Sequence, residues 1–417
     1  MKILVISQMY SQPDDVGDNK PTKTVNYFVK EWVKKGNSVI VIHCSSMFPL
    51  PLYYIPESIK KKISGSTSKI IPPIESRNTI EWNDNGAKVY RLPMFKLLPG
   101  MAFSKRTMDL QKERIKEILQ NNQFIPEVII GHFANPSLQL VAELSAEYKS
   151  MSSIVFHQDC NIHTMKKYRI EEYCNKIGAI GVRSIIEADN VKKLLKLNKS
   201  PFICCSGVPN TVVDEAPRIC NKHVKKTKLE YIYVGSLIKR KNVDSVIKAF
   251  VEKYQSNRNG ARLTIIGGGA EESNLRSLVN KLDANDMVYF TGRISREEVM
   301  EYMKNADVFT LISKDEVYGM VYIEAMLQGC LVVASKGEGF DGFIVDGENG
   351  FLCKSGDEKM LRDIYDRIED MSPNERNRIG QNAIDYAIKY SEEKVADRYL
   401  QDVLNRNEEK RHENTIC

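Results

Sequence analysis

The stretch Asp307-Val-Phe-Thr-Leu-Ile-Ser313-Lys-Asp-Glu316-Val-Tyr-Gly319-Met-Val-Tyr-Ile-Glu324-Ala-Met-Leu-Gln-Gly329 passes from a β-branched and aromatic run, through a polar loop, into an apolar run. Residues 308–312 read as a buried strand, 313–319 as a loop and 321–327 as a helix. Residues 331–334 follow as another short apolar strand. Strand, helix and strand in that order make a βαβ unit, whose strands lie parallel in one sheet. Ligands of such sheets sit beyond the carboxyl ends of the strands, so the loop 313–319 is where chemistry is expected.

The same alternation extends in both directions. Residues 229–234, 263–266 and 288–291 are strand candidates, with helical spacing over 243–253, 272–282 and 296–304. A separate series begins at 3–6 and continues with strands at 38–43, 88–92, 128–131, 153–157 and 177–182. Helices at 24–35, 108–120, 137–149 and 185–195 lie between them. The polar stretch 210–228 lacks apolar periodicity and carries the charge run Lys222, His223, Lys225, Lys226 and Lys228. The sequence therefore predicts an α/β protein of two Rossmann-like doubly wound domains facing across a cleft. They occupy 1–208 and 229–375, with a linker over 209–228 and a helical tail over 376–417.

The 417 residues, 42% hydrophobic and 27% charged, suffice for two such cores and exclude a disordered or fibrous chain. Sixty Lys and Arg against 54 Asp and Glu give a net +6, too mild for a nucleic-acid binder. That total hides an asymmetry. Residues 1–200 hold 29 basic and 19 acidic side chains, a net +10; 201–417 hold 31 and 35, a net −4. Nine cysteines with no C-x-x-C pair fit neither a disulfide nor a zinc framework, so a reduced, cytoplasmic setting is expected. No apolar run approaches the roughly 18 residues of a membrane span, leaving only peripheral membrane contact. There is no D-x-D triplet and no zinc spacing among the six histidines, so no metal or other cofactor is expected.

Within the loop and the helix that follows, Glu316 supplies a carboxylate able to accept hydrogen bonds from sugar hydroxyls. Gly319 lets backbone approach a ligand closely. The N–H groups of Gly319, Met320 and Val321 open the helix, where unpaired donors and the positive dipole end favour an anion. Glu324 lies one turn deeper on the Met320 face. Anion-binding amides flanked by two carboxylates suit a nucleotide diphosphate sugar. A second loop, Gly235-Ser236-Leu-Ile-Lys239-Arg240-Lys241, follows the strand at 229–234 and offers cations for the charge that grows on a departing diphosphate. Gly267-Gly268-Gly269 begins like a dinucleotide fingerprint but has Glu272 where the last Gly should be. It reads instead as a tight strand-to-helix turn near the nucleotide.

Glu316 and Glu324 form an E-x7-E motif. With Val234-Gly235-Ser236, Lys241-Asn-Val-Asp244, Gly267-Gly-Gly269, Gly292, Ala306-Asp307, Gly329-Cys-Leu-Val-Val-Ala334 and Asp346-Gly-Glu-Asn-Gly350, it resembles the retaining family-4 (group 1) glycosyltransferases of GT-B fold. The resemblance spans most of the chain and is strongest over 231–350. It implies a C-terminal helix that returns to the N-terminal domain. It also implies that Glu316 contacts the transferred sugar, Glu324 the nucleotide ribose and Lys241 the diphosphate. The family commonly has an Arg directly after the Gly at 235; here that residue is Ser236, with Arg240 the nearest substitute and Lys239 a weaker one. In the N-terminal domain His132 resembles the family's cleft histidine, which contacts the donor sugar. His157 matches another strand-end position, and Gly17 an acceptor-side loop glycine without its usual glycine neighbour.

The reaction so implied is metal-independent hexosyl transfer with retention, from a UDP-linked nucleotide sugar to a glycan or lipid-linked acceptor in surface polysaccharide synthesis. The departing diphosphate itself assists removal of the acceptor proton. Two other readings use the same residues: a nucleotide-sugar epimerase of the same fold, and a nucleotide-sugar-binding protein without turnover, for which Ser236 argues. Two apolar stretches beside basic clusters bear on the acceptor. Pro49-Leu-Pro-Leu-Tyr-Tyr54 precedes Lys60-Lys-Lys62, and Phe95-Lys-Leu-Leu-Pro-Gly-Met-Ala-Phe103 precedes Lys105-Arg106. Such a pairing suits an anionic membrane surface at the inner face of the plasma membrane; loop packing with solvated lysines accounts for it equally.

Overall fold

The structure, a computed structural model, describes residues 1–12, 23–56, 59, 74–216, 222, 228–256, 258 and 261–416. The chain divides into two compact units. Met1–Arg183, Glu187–Cys204 and Val395–Cys417 form unit one; Ser184–Ile186 and Cys205–Lys394 form unit two. The sequence reading placed the breaks at 208/209 and 375/376. The later break moves because the helix Pro373–Ala387 packs on the helix Met320–Leu327 of unit two.

Among the described residues unit one holds eight strands: β1 (Lys2–Ser7), β2 (Ser38–Met47), β3 (Ile80–Asp84), β4 (Ala87–Phe95), β5 (Val128–His132), β6 (Met151–Val155), β7 (Ala179–Val182) and β8 (Phe202–Ile203). Their order across the sheet is β3-β4-β2-β1-β5-β6-β7-β8, and all neighbours run parallel except β3 with β4. Helices α1 (Thr24–Lys34), α2 (Lys105–Asn121), α3 (Gln139–Tyr148) and α4 (Ile185–Leu194) supply crossovers. Ile3, Leu4, Val5 and Ile6 have no exposed surface, which is why the first strand is an unbroken apolar run: helices cover both faces. β3, which the sequence reading did not anticipate, is a half-exposed antiparallel edge strand of polar composition. Asn85 and Gly86, at φ +51° and +92°, close its hairpin to β4 with the two-residue turn that matches strand twist.

Unit two holds β9 (Glu230–Val234), β10 (Arg262–Ile266), β11 (Val288–Gly292), β12 (Val308–Leu311), β13 (Leu331–Lys336) and β14 (Phe351–Lys354). Its longer helices among the described residues are α5 (Val243–Tyr254), α6 (Glu272–Lys281), α7 (Arg296–Asn305), α8 (Met320–Leu327), α9 (Glu358–Asp370) and α10 (Pro373–Ala387). The sheet order β11-β10-β9-β12-β13-β14 is all parallel. Numbered within the unit it is 3-2-1-4-5-6, so the chain reverses direction between β9 and β12. At such a reversal the crossovers from the two strands leave on opposite faces, and a crevice opens beyond the strand ends.

The last helix, α11 (Glu392–Ile416), joins unit one from Val395 onward, as the resemblance implied. Trp32 Nε1 of α1 donates to Ala396 O at 3.0 Å. The Asn407 amide accepts from Ser152 N at 2.9 Å and donates to Ser152 O at 3.1 Å. Gly178 leaves room for that amide; a Cβ there would lie 1.8 Å from Asn407 Oδ1.

Candidate active site

The loops that leave β9 and β12 flank the reversal in unit two, and backbone hydrogen bonds tie them together. Lys314 N donates to Arg240 O at 2.7 Å, and the Arg240 guanidinium donates to Asp315 O at 3.2 Å. Asn242, in the left-handed region at φ +49°, turns the chain from a short 3₁₀ segment into α5. Its side-chain amide donates to Ile312 O at 2.8 Å, pinning the β9 loop to the end of β12.

The Gly235–Leu237 backbone is supported from β10. Gly235 N donates to Ile266 O at 3.0 Å and Leu237 N to Gly268 O at 3.2 Å. Gly267 has φ +139°, and a Cβ on it would lie 1.9 Å from Gly235 O. Gly269 is equally tight against Leu237 O, at 2.3 Å. The two outer glycines therefore exist to let one loop lie on another. Gly267, read as part of a tight turn near the nucleotide, thus packs against the Gly235 carbonyl. Ser236 is exposed at the tip of the supported loop.

Lys241 Nζ reaches across the reversal to Glu316 Oε2 as a nearly buried ion pair. The side chains are 11% and 9% exposed. Ser313 Oγ donates to the same carboxylate oxygen at 2.8 Å. The Glu316 backbone is held as firmly, its N–H donating to Glu338 Oε2 at 2.9 Å and its carbonyl accepting from Gly339 N at 2.8 Å. Gly319, at φ +75°, then breaks into α8, whose first turn has no side-chain cap. Glu324 lies on α8 and pairs with Arg296, the first residue of α7. Burial pushes the Glu324 carboxyl above the usual range, and Arg296 opposes that shift. Contacts thus join the β9 loop to the β12 loop through Arg240, Lys241 and Asn242, with Glu316 at their meeting point, and join Glu324 of α8 to Arg296 of α7.

In unit one the two candidate histidines differ in exposure. His132, at the end of β5, has no exposed surface. Its Nδ1 lies 3.1 Å from His157 Nε2 and its Nε2 3.4 Å from the Tyr399 hydroxyl of α11. Phe28 stacks at 6.1 Å between ring centroids. Burial, helped by Arg183, pulls the His132 pKa down to about 3, so the ring is neutral at physiological pH. His132, expected to contact the donor sugar, thus lies among Phe28, His157 and Tyr399 with no exposed surface. His157 is the partly exposed member, stacked on Phe133 at 4.0 Å. Gly17 and Lys60 to Lys62 lie outside the described residues.

Residues 216–386 match the family model for glycosyl transferases group 1. The chain carries a group 1 glycosyl transferase domain. An uncharacterized glycosyltransferase of Methanocaldococcus jannaschii is 26% identical over 334 residues, 75% of this chain and 82% of its own length. The alpha-monoglucosyldiacylglycerol synthase of Acholeplasma laidlawii is 29% identical over 182 residues, 43% of this chain and 45% of that protein. Among solved structures, Anabaena HepE in complex with UDP matches with a TM-score of 0.64 at 14% identity, over 97% of this chain and 100% of that one. That likeness is one of fold, and the fold is GT-B.

Sequence reasoning missed three residues that contact the predicted ones. Ser313 was visible only as a strand end, Glu338 as one acid between two glycines, and Arg296 as one of two arginines after β11. Each acquires its role through a contact between loops distant in sequence: Ser313 and Glu338 on Glu316, Arg296 on Glu324. The position of Arg296 just past the carboxyl end of a parallel strand was the one available signal.

Proposed function

We propose that this glycosyl transferase moves a hexosyl group, with retention, from a UDP-linked nucleotide sugar to a glycan or lipid-linked acceptor of surface polysaccharide synthesis. The observation that carries the reading is the Lys241–Glu316 pair at the strand reversal of unit two, where this topology binds nucleotides. The name of HepE's ligand, UDP, and the lipid product in the Acholeplasma synthase's name support the donor and acceptor classes.

In this reading the bond between the anomeric carbon and the diphosphate oxygen breaks while the acceptor oxygen bonds to the same face of that carbon. The acceptor's proton passes to the departing diphosphate oxygen. Lys241, Arg240 and the N–H groups of Gly319, Met320 and Val321 stabilise the charge that grows there, without a divalent ion. Glu316 accepts from hydroxyls of the transferred sugar and Glu324 from the ribose. His157 stands on the acceptor side. Radiolabelled UDP-glucose, UDP-galactose and UDP-N-acetylglucosamine, each with lipid-linked oligosaccharide acceptors and EDTA, test it. We expect one labelled sugar to move to the acceptor with its anomeric configuration retained. Inversion of a sugar centre without transfer, or transfer that EDTA abolishes, overturns the reading.

Among the described residues no helix is long and apolar enough to cross a membrane. The loops after β2 and β4 in unit one nevertheless expose Leu50, Tyr54, Leu97, Leu98 and Met101. Lys96 Nζ sits 4.6 Å from the Phe103 ring centroid and 5.7 Å from that of Phe48, so the two loops adjoin. Lys105 and Arg106 begin the helix that follows. This supports peripheral docking on the cytoplasmic face of an anionic membrane. Sedimentation with phosphatidylglycerol vesicles should recover the protein, and a K105E/R106E variant should lose that recovery. Equal recovery of the variant rejects the patch.

A further inference from the structure

Arg296, whose side chain is 37% exposed, pairs in an unusual way with the nearly buried Glu324, 12% exposed. Arginine and carboxylate commonly form two parallel hydrogen bonds, which satisfies both donors on one edge of the guanidinium. Here only Nη2 bonds, and only to Oε1. Nε, which shares that edge, is buried and has no hydrogen-bond partner. Among the described residues no hydrogen bond is formed to Oε2 of Glu324. A buried donor without a partner keeps its desolvation penalty, so a chain that retains one invites a ligand atom to complete it. The remaining demand is specific: one donor and one carboxylate acceptor, side by side. A vicinal diol supplies the complement, because one hydroxyl can donate to the carboxylate while its neighbour accepts from the guanidinium.

We propose that Arg296 is the positioning residue for nucleoside binding, holding Glu324 by one oxygen so that the pair together reads the 2′,3′-diol of a ribonucleoside diphosphate. The inference rests on the proposed role of Glu324 at the ribose and adds to it. Arg296 has no part in the chemistry at the anomeric carbon. It acts through Glu324 and through its own Nε, and what it governs is the distinction between ribose and deoxyribose. Its position favours this role. Ser295 caps α7 through a reciprocal bond with Glu298, which fixes the first helical turn and hence the base of the Arg296 side chain.

Calorimetric titration of the full chain with UDP, GDP and ADP identifies the diphosphate that binds most tightly. The 2′-deoxy and 3′-deoxy forms of that ligand are then compared with it. The wild type should prefer the ribonucleotide by about tenfold or more, the worth of one charge-assisted hydrogen bond. Arg296→Met should bring the ribonucleotide down to the level of its deoxy forms while leaving their affinities within about threefold. Arg296→Lys keeps the charge without the paired donors and should also lose most of the preference; it carries the test if the Met variant does not fold. No binding, or no preference in the wild type, overturns the donor-site reading itself. A preference that persists in a folded Arg296 variant but disappears in Glu324→Gln overturns the role of Arg296 alone.

Discussion

Glu316→Gln should abolish sugar transfer, lowering kcat by about 10³-fold, in a protein that still folds. Lys241→Met should lose transfer to the same degree and lose stability as well. The difference follows from what each substitution leaves behind. Gln at 316 remains neutral and polar, can still accept from Ser313 Oγ, and faces a Lys241 whose ammonium retains some access to water. Met at 241 leaves an ionised carboxylate nearly buried against Tyr233 and Tyr322, with one hydroxyl for support. Removing one partner of a buried ion pair costs about 3 kcal/mol or more, because the other charge keeps its desolvation penalty. The double variant Lys241→Met with Glu316→Gln should therefore regain most of the stability lost by Lys241→Met, since no buried charge remains. It should regain no activity. Thermal unfolding and initial rates on the four proteins check both halves. Full activity in either single variant would sink the site; a double variant no more stable than Lys241→Met would show that the pair is not where Lys241 acts on stability.

What the sequence disclosed of this fold and site divides along a physical line. Strands buried on both faces, such as β1 and β13, announce themselves because every residue must be apolar. The edge strand β3 is half exposed, and its polar residues hid it even though Asn85-Gly86 is a hairpin signal. Lys241 and Glu316, which the structure pairs, could be singled out because each follows the carboxyl end of a strand, where ligands of parallel sheets gather. His132 shares that position, yet its ring has no exposed surface. It pairs with Ser7 across the sheet, and its ring is enclosed by Phe28 and Tyr399, the latter from a helix 267 residues away in sequence. A strand's alternation tells which residues share a face, but not which face a distant helix will cover. Arg296 was invisible in the opposite sense, since nothing local separates it from Arg293.

Gly267→Ala should be among the most damaging single-atom additions in unit two, whereas Gly268→Ala next to it should be nearly silent. At 267 the backbone has φ +139°, a conformation that costs an L-residue about 1–3 kcal/mol. The added methyl would also stand 1.9 Å from Gly235 O and 2.9 Å from Gly235 C, both backbone atoms that no rotamer change can move. The strand-end loop must shift, and overpacking of this kind adds about 1–3 kcal/mol. Together they amount to about 3 kcal/mol or more, visible as a drop of several degrees in Tm. At 268 the nearest atoms are Arg293 Cγ and Nε, both at 3.3 Å and both on a flexible side chain that can swing aside. The functional consequence separates the two further. Gly235 and Ser236 belong to the loop that leads to Lys241, so displacing Gly235 should weaken binding of the nucleoside diphosphate, in our reading by about tenfold or more, even in the fraction that stays folded. Thermal unfolding and calorimetric titration on the two variants measure both effects. If Gly268→Ala proved the worse of the two, the close packing of β10's loop under the β9 loop would not be what keeps the diphosphate site in shape.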